Sequence, residues 1–387
     1  MKLKITHMPT PLFNMSRSKN IGFFFLFLLL VLTASYYFVE LRFSHTYMIY
    51  VARMDDLLQG TARRPWQCRV LVPWIVRGLS HFDLPLPVFD TVGMRRFVDH
   101  QRLLWTPAVN LFALIEILST FCLVIVFRYY LSFFFRKLKT NIILSFSIFY
   151  PLVFTFILPD RLNIWYPYDI PLVLLFTLGL IFLYKRQWFF YYPLFIAATL
   201  NRETACFLTF VYLFTAWGKD RLRTIMLHCV SQFVIWCIII ISLQWLYRDN
   251  PGRDTICQFH ENFRLLTGRA YAFGPYPLML SILGYIWIPV LLLQNRIGNL
   301  FVRRSLLVTI PFLAAILYGC NIHEVRDYGE LIPIYLTALL LIIKNLIIDD
   351  FCPATKITKT PRYRGISSLQ KEPETGVRGE NSDSGRG

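Results

Sequence analysis

Charge is what this sequence has least of. Only 16% of its 387 residues are Asp, Glu, Lys or Arg, against roughly 25% in soluble domains, and that shortage excludes an ordinary water-soluble enzyme. Eight cysteines are present, yet no Cys-x-x-Cys pair and no Cys/His metal spacing occurs, which excludes a zinc ribbon or a thioredoxin-type motif. Cys122, Cys206, Cys229 and Cys237 sit inside apolar runs and read as small core residues. There is no internal repeat and no heptad, so solenoids and coiled coils are excluded. The formal net charge is +17, but Lys and Arg are scattered between apolar runs rather than gathered in a basic domain, so nucleic acid is not the expected partner.

What replaces charge is hydrocarbon: 56% of the residues are hydrophobic and 17% aromatic. A membrane span needs about 20 apolar residues. On that measure the chain reads as an all-α polytopic membrane protein of about ten transmembrane helices, at 21–38, 107–127, 142–158, 170–184, 188–200, 205–217, 225–247, 278–293, 306–319 and 331–348. Residues 1–20 form an N-terminal segment, 21–348 the membrane domain, and 349–387 a polar tail expected to be disordered. The first run continues through Tyr36, Tyr37 and Phe38 without the small residues of a cleavage site, so it reads as a retained anchor rather than a signal peptide.

Short cytoplasmic loops retain positive charge. With both termini inside, the loops holding Arg128 to Lys139, Lys185 and Arg186, Lys219 to Arg223, and Arg296 to Arg304 all fall on the cytoplasmic side. The loop 39–106 then lies outside despite its nine Arg, which loops longer than about 60 residues are allowed to do. Within it, the stretch from Gln67 to Arg77 is too short to span and too apolar for water, so it is expected to form interfacial helix. No Asn-x-Ser/Thr site occurs in the outside loops.

The polar residues able to do chemistry collect on that outer face. Asp55 and Asp56 stand in the first loop, and adjacent residues of a helix diverge by about 100°, so one of them could act as a general base while the other caps or pairs. Asp160 and Arg161 precede Trp165-Tyr166-Pro167-Tyr168-Asp169, whose aromatics read most simply as an interfacial belt. Asn201, Arg202 and Glu203 join two spans that cross twice within thirty residues. Each crossing then reaches only about 21 Å at 1.5 Å per residue, against a core of about 30 Å. Arg202 and Glu203 are therefore expected below the outer surface, either capping a helical hairpin or lining a substrate path. His323, Glu324, Arg326, Asp327 and Glu330 follow, with His323/Asp327 and Arg326/Glu330 at the spacing of helical salt bridges. Arg202 and Arg326 are candidates to hold a phosphate through their forked donors. Glu116, inside a predicted span, needs a partner or water, whereas Lys344 can snorkel.

This layout resembles the multispanning glycosyltransferases of the GT-C superfamily. The resemblance covers most of residues 15–348 and rests on the cytoplasmic N-terminal span, the long first loop with its acids, and the short spans five and six. Arg69-Val70-Leu71-Val72-Pro73 is similar to an Arg-x-Leu-x-Pro segment in the first loop of bacterial members, and Asn201-Arg202-Glu203-Thr204 and Glu324-Val325-Arg326 resemble segments of bacterial polytopic proteins of that type. The resemblance implies a polyprenyl-phosphate sugar as donor, an extracytoplasmic acceptor, and Asp55 or Asp56 as the base. Arg69, Asp160, Arg161, Asp169, Asn201, Arg202, Glu203, His323, Glu324, Arg326 and Asp327 would then bind substrate. It also implies membrane lipid and envelope-assembly proteins as partners, in a bacterial inner membrane. No organic cofactor is expected, and the absence of Asp-x-Asp or Glu-x-Asp leaves a divalent cation without a motif. An O-antigen-type polymerase or ligase, a transporter or flippase, and a non-catalytic assembly subunit stand as alternatives.

Overall fold

A computed structural model describes residues 17–82, 91–101, 106–158, 164–252, 257–267 and 276–351. Strands are absent among them apart from two isolated bridges, Tyr47 with Ile164 and Arg64 with Gly252. Lipid offers no hydrogen bonds to backbone, so an apolar chain closes its N–H and C=O groups within helices. These are α1 (Arg17–His45), α2 (Met54–Gln59), α3 (Leu71–Ser80), α4 (Val92–Gln101), α5 (Pro107–Leu131), α6 (Leu138–Phe146), α7 (Phe149–Phe156), α8 (Asp169–Lys185), α9 (Trp188–Asn201), α10 (Phe207–Ala216), α11 (Leu222–Leu246), α12 (Phe259–Leu266), α13 (Tyr276–Leu280), α14 (Trp287–Leu292), α15 (Leu300–Ser305), α16 (Thr309–Gly319) and α17 (Ile332–Phe351). The chain divides into two units, 1–346 and 347–387, and of the second only the end of α17 is described.

Among the described residues, six segments are long and apolar enough to cross a membrane: 22–45, 107–131, 138–156, 222–246, 300–319 and 325–347. The molecule is thus a helical membrane protein, but its helices do not by themselves make up ten spans. Helices α8 and α9 have 17 and 14 residues, and 203–216 is a short apolar helix. The expected span 278–293 is not one helix. After α13 the backbone turns left-handed at Leu283, Gly284 and Tyr285, with φ of 55°, 64° and 65°, a run that no right-handed helix accommodates. A Cβ on Gly284 would come within 2.6 Å of the Tyr150 ring, so glycine is required there both for its φ and for the close approach.

Helix α5 forms the centre of the bundle, packed against α8, α1, α6 and α3. Helix α1 runs past its expected end at Phe38 as far as His45, which carries Arg42 into the protein on a rigid element. In the first loop, α3 buries Val72, Pro73 and Val76 and exposes Trp74 and Ile75, the split expected of an interfacial helix. Trp165, Tyr166 and Tyr168 do not form a surface belt: all three are buried, and Trp165 packs on Phe43, Phe97 and Phe112. Lys344 donates to the carbonyl of Phe134 at 3.1 Å, just beyond the C-terminal end of α5, where a cation is favoured.

Candidate functional site

Two irregular segments face each other. Helix α9 stops because Arg202 is extended (φ −163°, ψ 141°), and the 3-10 turn Glu203–Cys206 follows before α10. Opposite it, the 3-10 segment Val325–Leu331 leads into α17. At three residues per turn, this segment does not align the i, i+4 pairs expected of an α-helix. Arg326 pairs with Glu324 at 2.6 Å rather than with Glu330, and Glu330 takes the hydroxyl of Thr204 instead. His323 is half-buried, and its Nδ1 has no hydrogen-bond partner. Arg326, Asp327 and Glu330 are all buried, so this segment faces the interior.

Side chains from six stretches of sequence form one charged seam. Arg42 of α1 bonds Glu116 of α5 and reaches Asp169 Oδ2 at 3.0 Å. The other oxygen of Asp169 lies 3.8 Å from Arg202 and 3.7 Å from Arg326. Arg202 bonds Asp327 at 2.5 Å, and Arg326 lies 3.4 Å from the same carboxylate. Arg69 closes a two-pronged pair with Glu203 and donates to the Tyr168 hydroxyl at 2.9 Å. The guanidinia of Arg69 and Arg326 lie 4.8 Å and 4.2 Å from the ring centres of Tyr168 and Tyr166, a stacking that Arg tolerates better than Lys. The backbone holds the seam in register: Val70 N–H donates to Leu200 at 2.9 Å, Asn201 Nδ2 to Tyr168 at 2.9 Å, and Trp236 Nε1 to Glu203 at 2.8 Å.

Four guanidinia (Arg42, Arg69, Arg202, Arg326) thus meet five carboxylates (Glu116, Asp169, Glu203, Glu324, Asp327), and a sixth, Glu330, takes the Thr204 hydroxyl. This is not a bare anion hole; each arginine already faces an acid. Burial pushes the Glu203 carboxyl up, but the Arg69 guanidinium holds it below the ordinary glutamate range. Burial likewise opposes the charge on Arg69, and Glu203 more than compensates, raising it well above its usual value.

Above the seam opens a cavity of about 520 Å³. Its floor carries Arg69, Arg202, Glu203, Glu324, Arg326 and Asp327, with the rings of Trp66, Tyr166 and Trp236 at its sides and apolar residues of α11 and α16 beyond. Donors, acceptors and ring faces together suit a polyhydroxylated or phosphorylated head, and the apolar walls suit hydrocarbon. Among the described residues, no group of three or more His, Cys, Asp or Glu is placed to hold a metal ion.

Of the residues singled out in the sequence, Arg69, Arg202, Glu203, Glu324, Arg326 and Asp327 line this cavity, Asp169 lies directly behind it, and Asn201 supports it through Tyr168. His323 is not in the lining, nor are Asp55 and Asp56. Asp55 is exposed and Asp56 half-exposed in the first turn of α2. Asp160 and Arg161 lie outside the described residues. Arg42 was missed: it counted as one loop arginine among nine. The signal that would have found it is Glu116, a buried acid that requires a cation from the adjoining helix. No family model matches the chain, and no curated protein and no solved structure matches it either.

Proposed function

We propose that this protein is a polytopic membrane glycosyltransferase that moves a sugar from a polyprenyl-phosphate donor to an extracytoplasmic acceptor at the cavity above the arginine–carboxylate seam. What supports the reading is one observation, that the cavity is lined both by the charged residues of the seam and by apolar residues of α11 and α16, a pairing that a sugar-phosphate head on a lipid requires. In this reading the acceptor hydroxyl oxygen attacks the anomeric carbon. The bond from that carbon to the phosphate oxygen breaks, and the phosphate leaves with the electron pair beside Arg202 and Arg326. The hydroxyl proton passes to a carboxylate. We assign that base to Glu324, which lines the cavity and is held by Arg326 and by Asn321 at 2.9 Å, rather than to Asp55 or Asp56, since a base needs hydrogen-bond reach of its proton.

The topology proposed with this function has ten spans, two or more of them too short to cross as straight helices, with both termini cytoplasmic in a bacterial inner membrane. Reporter fusions at Lys219 and Gln294 should read cytoplasmic and one at His260 exported; an exported signal at Lys219 defeats the arrangement. The function is tested by comparing envelope glycans and lipid-linked sugars in cells lacking the protein with cells carrying Glu324→Gln. Accumulated lipid-linked sugar in both is the expected result. Unchanged glycans in the deletion strain would replace this reading with a transporter or an assembly subunit.

A further inference from the structure

The end of α10 remote from the cavity gathers a second set of charges. Phe207, at the start of α10, lines the cavity, and Trp217 just past its other end is about 15 Å further along at 1.5 Å per residue. Three loops distant in sequence meet there. Arg186, which closes α8, pairs with Asp220 at 2.8 Å, and Arg304 of α15 donates to the Trp217 carbonyl. Together, 185–187, 217–223 and 300–305 hold seven Lys and Arg and one acid, Asp220. Retention of positive charge in short loops accounts for the number of these cations but not for their convergence. Like charges held close by a fold repel, and a bound anion relieves that repulsion.

The acid is already paired, with Arg186, whose guanidinium also lies over the Tyr212 ring at 5.3 Å. Lys185 is engaged as well, by the hydroxyl and the ring of Tyr129. Lys219 is not: among the described residues its ammonium has no hydrogen bond and no ion pair. Burial, with the repulsion of Arg304 and Arg186, holds Lys219 below the usual lysine range. Arg304 has a carbonyl for its partner, not a carboxylate. The first turn of α11, where an acid is favoured, holds none. Beside the cations runs an apolar stripe. Phe210, Phe214 and Trp217 stand at i, i+4 and i+7, on one side of α10, opposite the buried Leu208, Val211 and Thr215. Phe210 and Trp217 are exposed, and the rings of Phe210 and Phe214 lie 6.4 Å apart. The stripe ends at the cations with a tryptophan, the ring favoured at the headgroup level of a membrane.

We propose that this corner binds an anionic phospholipid, its phosphodiester between Lys219 and Arg304 and an acyl chain along Phe210, Phe214 and Trp217. An anionic head is favoured over a zwitterionic one, because with Asp220 taken an ammonium headgroup meets only cations. The cytoplasmic leaflet, the side proposed for these loops, is rich in such lipids, and the site is independent of what occupies the cavity. The test is native mass spectrometry of the full-length protein in detergent, titrated with phosphatidylglycerol or phosphatidylcholine. A saturable phosphatidylglycerol adduct that phosphatidylcholine does not match is expected; equal retention of the two overturns the site. Lys219→Gln and Arg304→Gln should each weaken phosphatidylglycerol binding roughly fivefold. Arg136→Gln, which removes an exposed cation of another loop, should leave it unchanged. Arg304→Gln also removes a bond within the fold, so Lys219→Gln, at an exposed side chain, decides: undiminished binding there, or an equal loss in Arg136→Gln, overturns the proposal. In nanodiscs, phosphatidylglycerol with a diazirine on its acyl chain should label 210–217, and saturable labelling confined to other helices overturns the chain path. Displacement of the lipid by inorganic phosphate at matched concentration would make this a free-anion site and overturn the lipid assignment.

Discussion

Arg42, near the end of the first helix, donates to Asp169, the first residue of α8, at 3.0 Å, and its other terminal nitrogen bonds Glu116. One arginine therefore neutralises two acids that are each about 1% exposed, and the other oxygen of Asp169 lies within 4 Å of Arg202 and Arg326. A buried acid left without its cation is costly, whereas the pair itself contributes little over an apolar replacement.

Arg42→Met should consequently destabilise the protein by about 3–5 kcal/mol. The double variant Arg42→Met, Glu116→Leu should recover more than about 1 kcal/mol of that loss, because it removes one stranded charge. Thermal unfolding of the detergent-solubilised protein reads both. A double variant no more stable than the single one would show that Glu116 is not stranded by the loss of Arg42.

Asn262→Ala should cost about 2–4 kcal/mol, since it strips the carbonyls of Leu317 and Cys320 and the N–H of Ile322 of partners worth roughly 1 kcal/mol each net, with burial adding to the cost. Hydrogen exchange should rise at the Ile322 amide, whose acceptor is lost. Unchanged protection there would mean that water replaces the side chain.

The pair of Arg69 and Glu203 makes stability depend on acid. Glu203 titrates lower in the folded protein than in the unfolded chain, so its contribution is complete above the unfolded value of about 4.3 and is lost as pH falls through the depressed folded value. Its side chain is 37% exposed, which limits the contribution to about 1 kcal/mol. Glu203→Gln should melt below the wild type at pH 7 and converge with it under acid. A gap that persists in acid would point to packing rather than charge.

If Glu324 is the base, Glu324→Gln should lower transfer by about 10²–10⁴-fold while leaving polyprenyl-phosphate binding intact. Asp55→Asn and Asp56→Asn should stay near wild type, since neither side chain reaches the cavity. Transfer assays in inside-out and right-side-out membranes measure all three. Inactivity of the Asp56 variant alone would return the base to the first loop.

Gly284→Ala tests the broken helix. The left-handed backbone and the approach to Tyr150 at 2.6 Å act together, so a loss well above 1 kcal/mol is expected. A neutral effect on melting would mean that the turn is not under that constraint.

Composition alone determined the solvent of this protein: with 16% charged residues its surface is satisfied by lipid, and lipid leaves helices as the form its apolar segments take. The absence of polar groups likewise marked the six segments long and apolar enough to span, and the charged interruptions at Arg202 and Glu324–Asp327 marked two of the breaks, whereas the break at Leu283–Tyr285 carries no charge to mark it. Those signals are local, carried by neighbours in sequence. Which charge meets which acid is not local. Arg42 and Asp169 are separated by 127 positions and come together only because α1, α5 and α8 pack side by side. The same packing buries Trp165 and Tyr166, which their own neighbourhood presents as surface aromatics. It also leaves Asp55 and Asp56 on the outside of α2, away from a cavity whose walls come from helices near the other end of the chain.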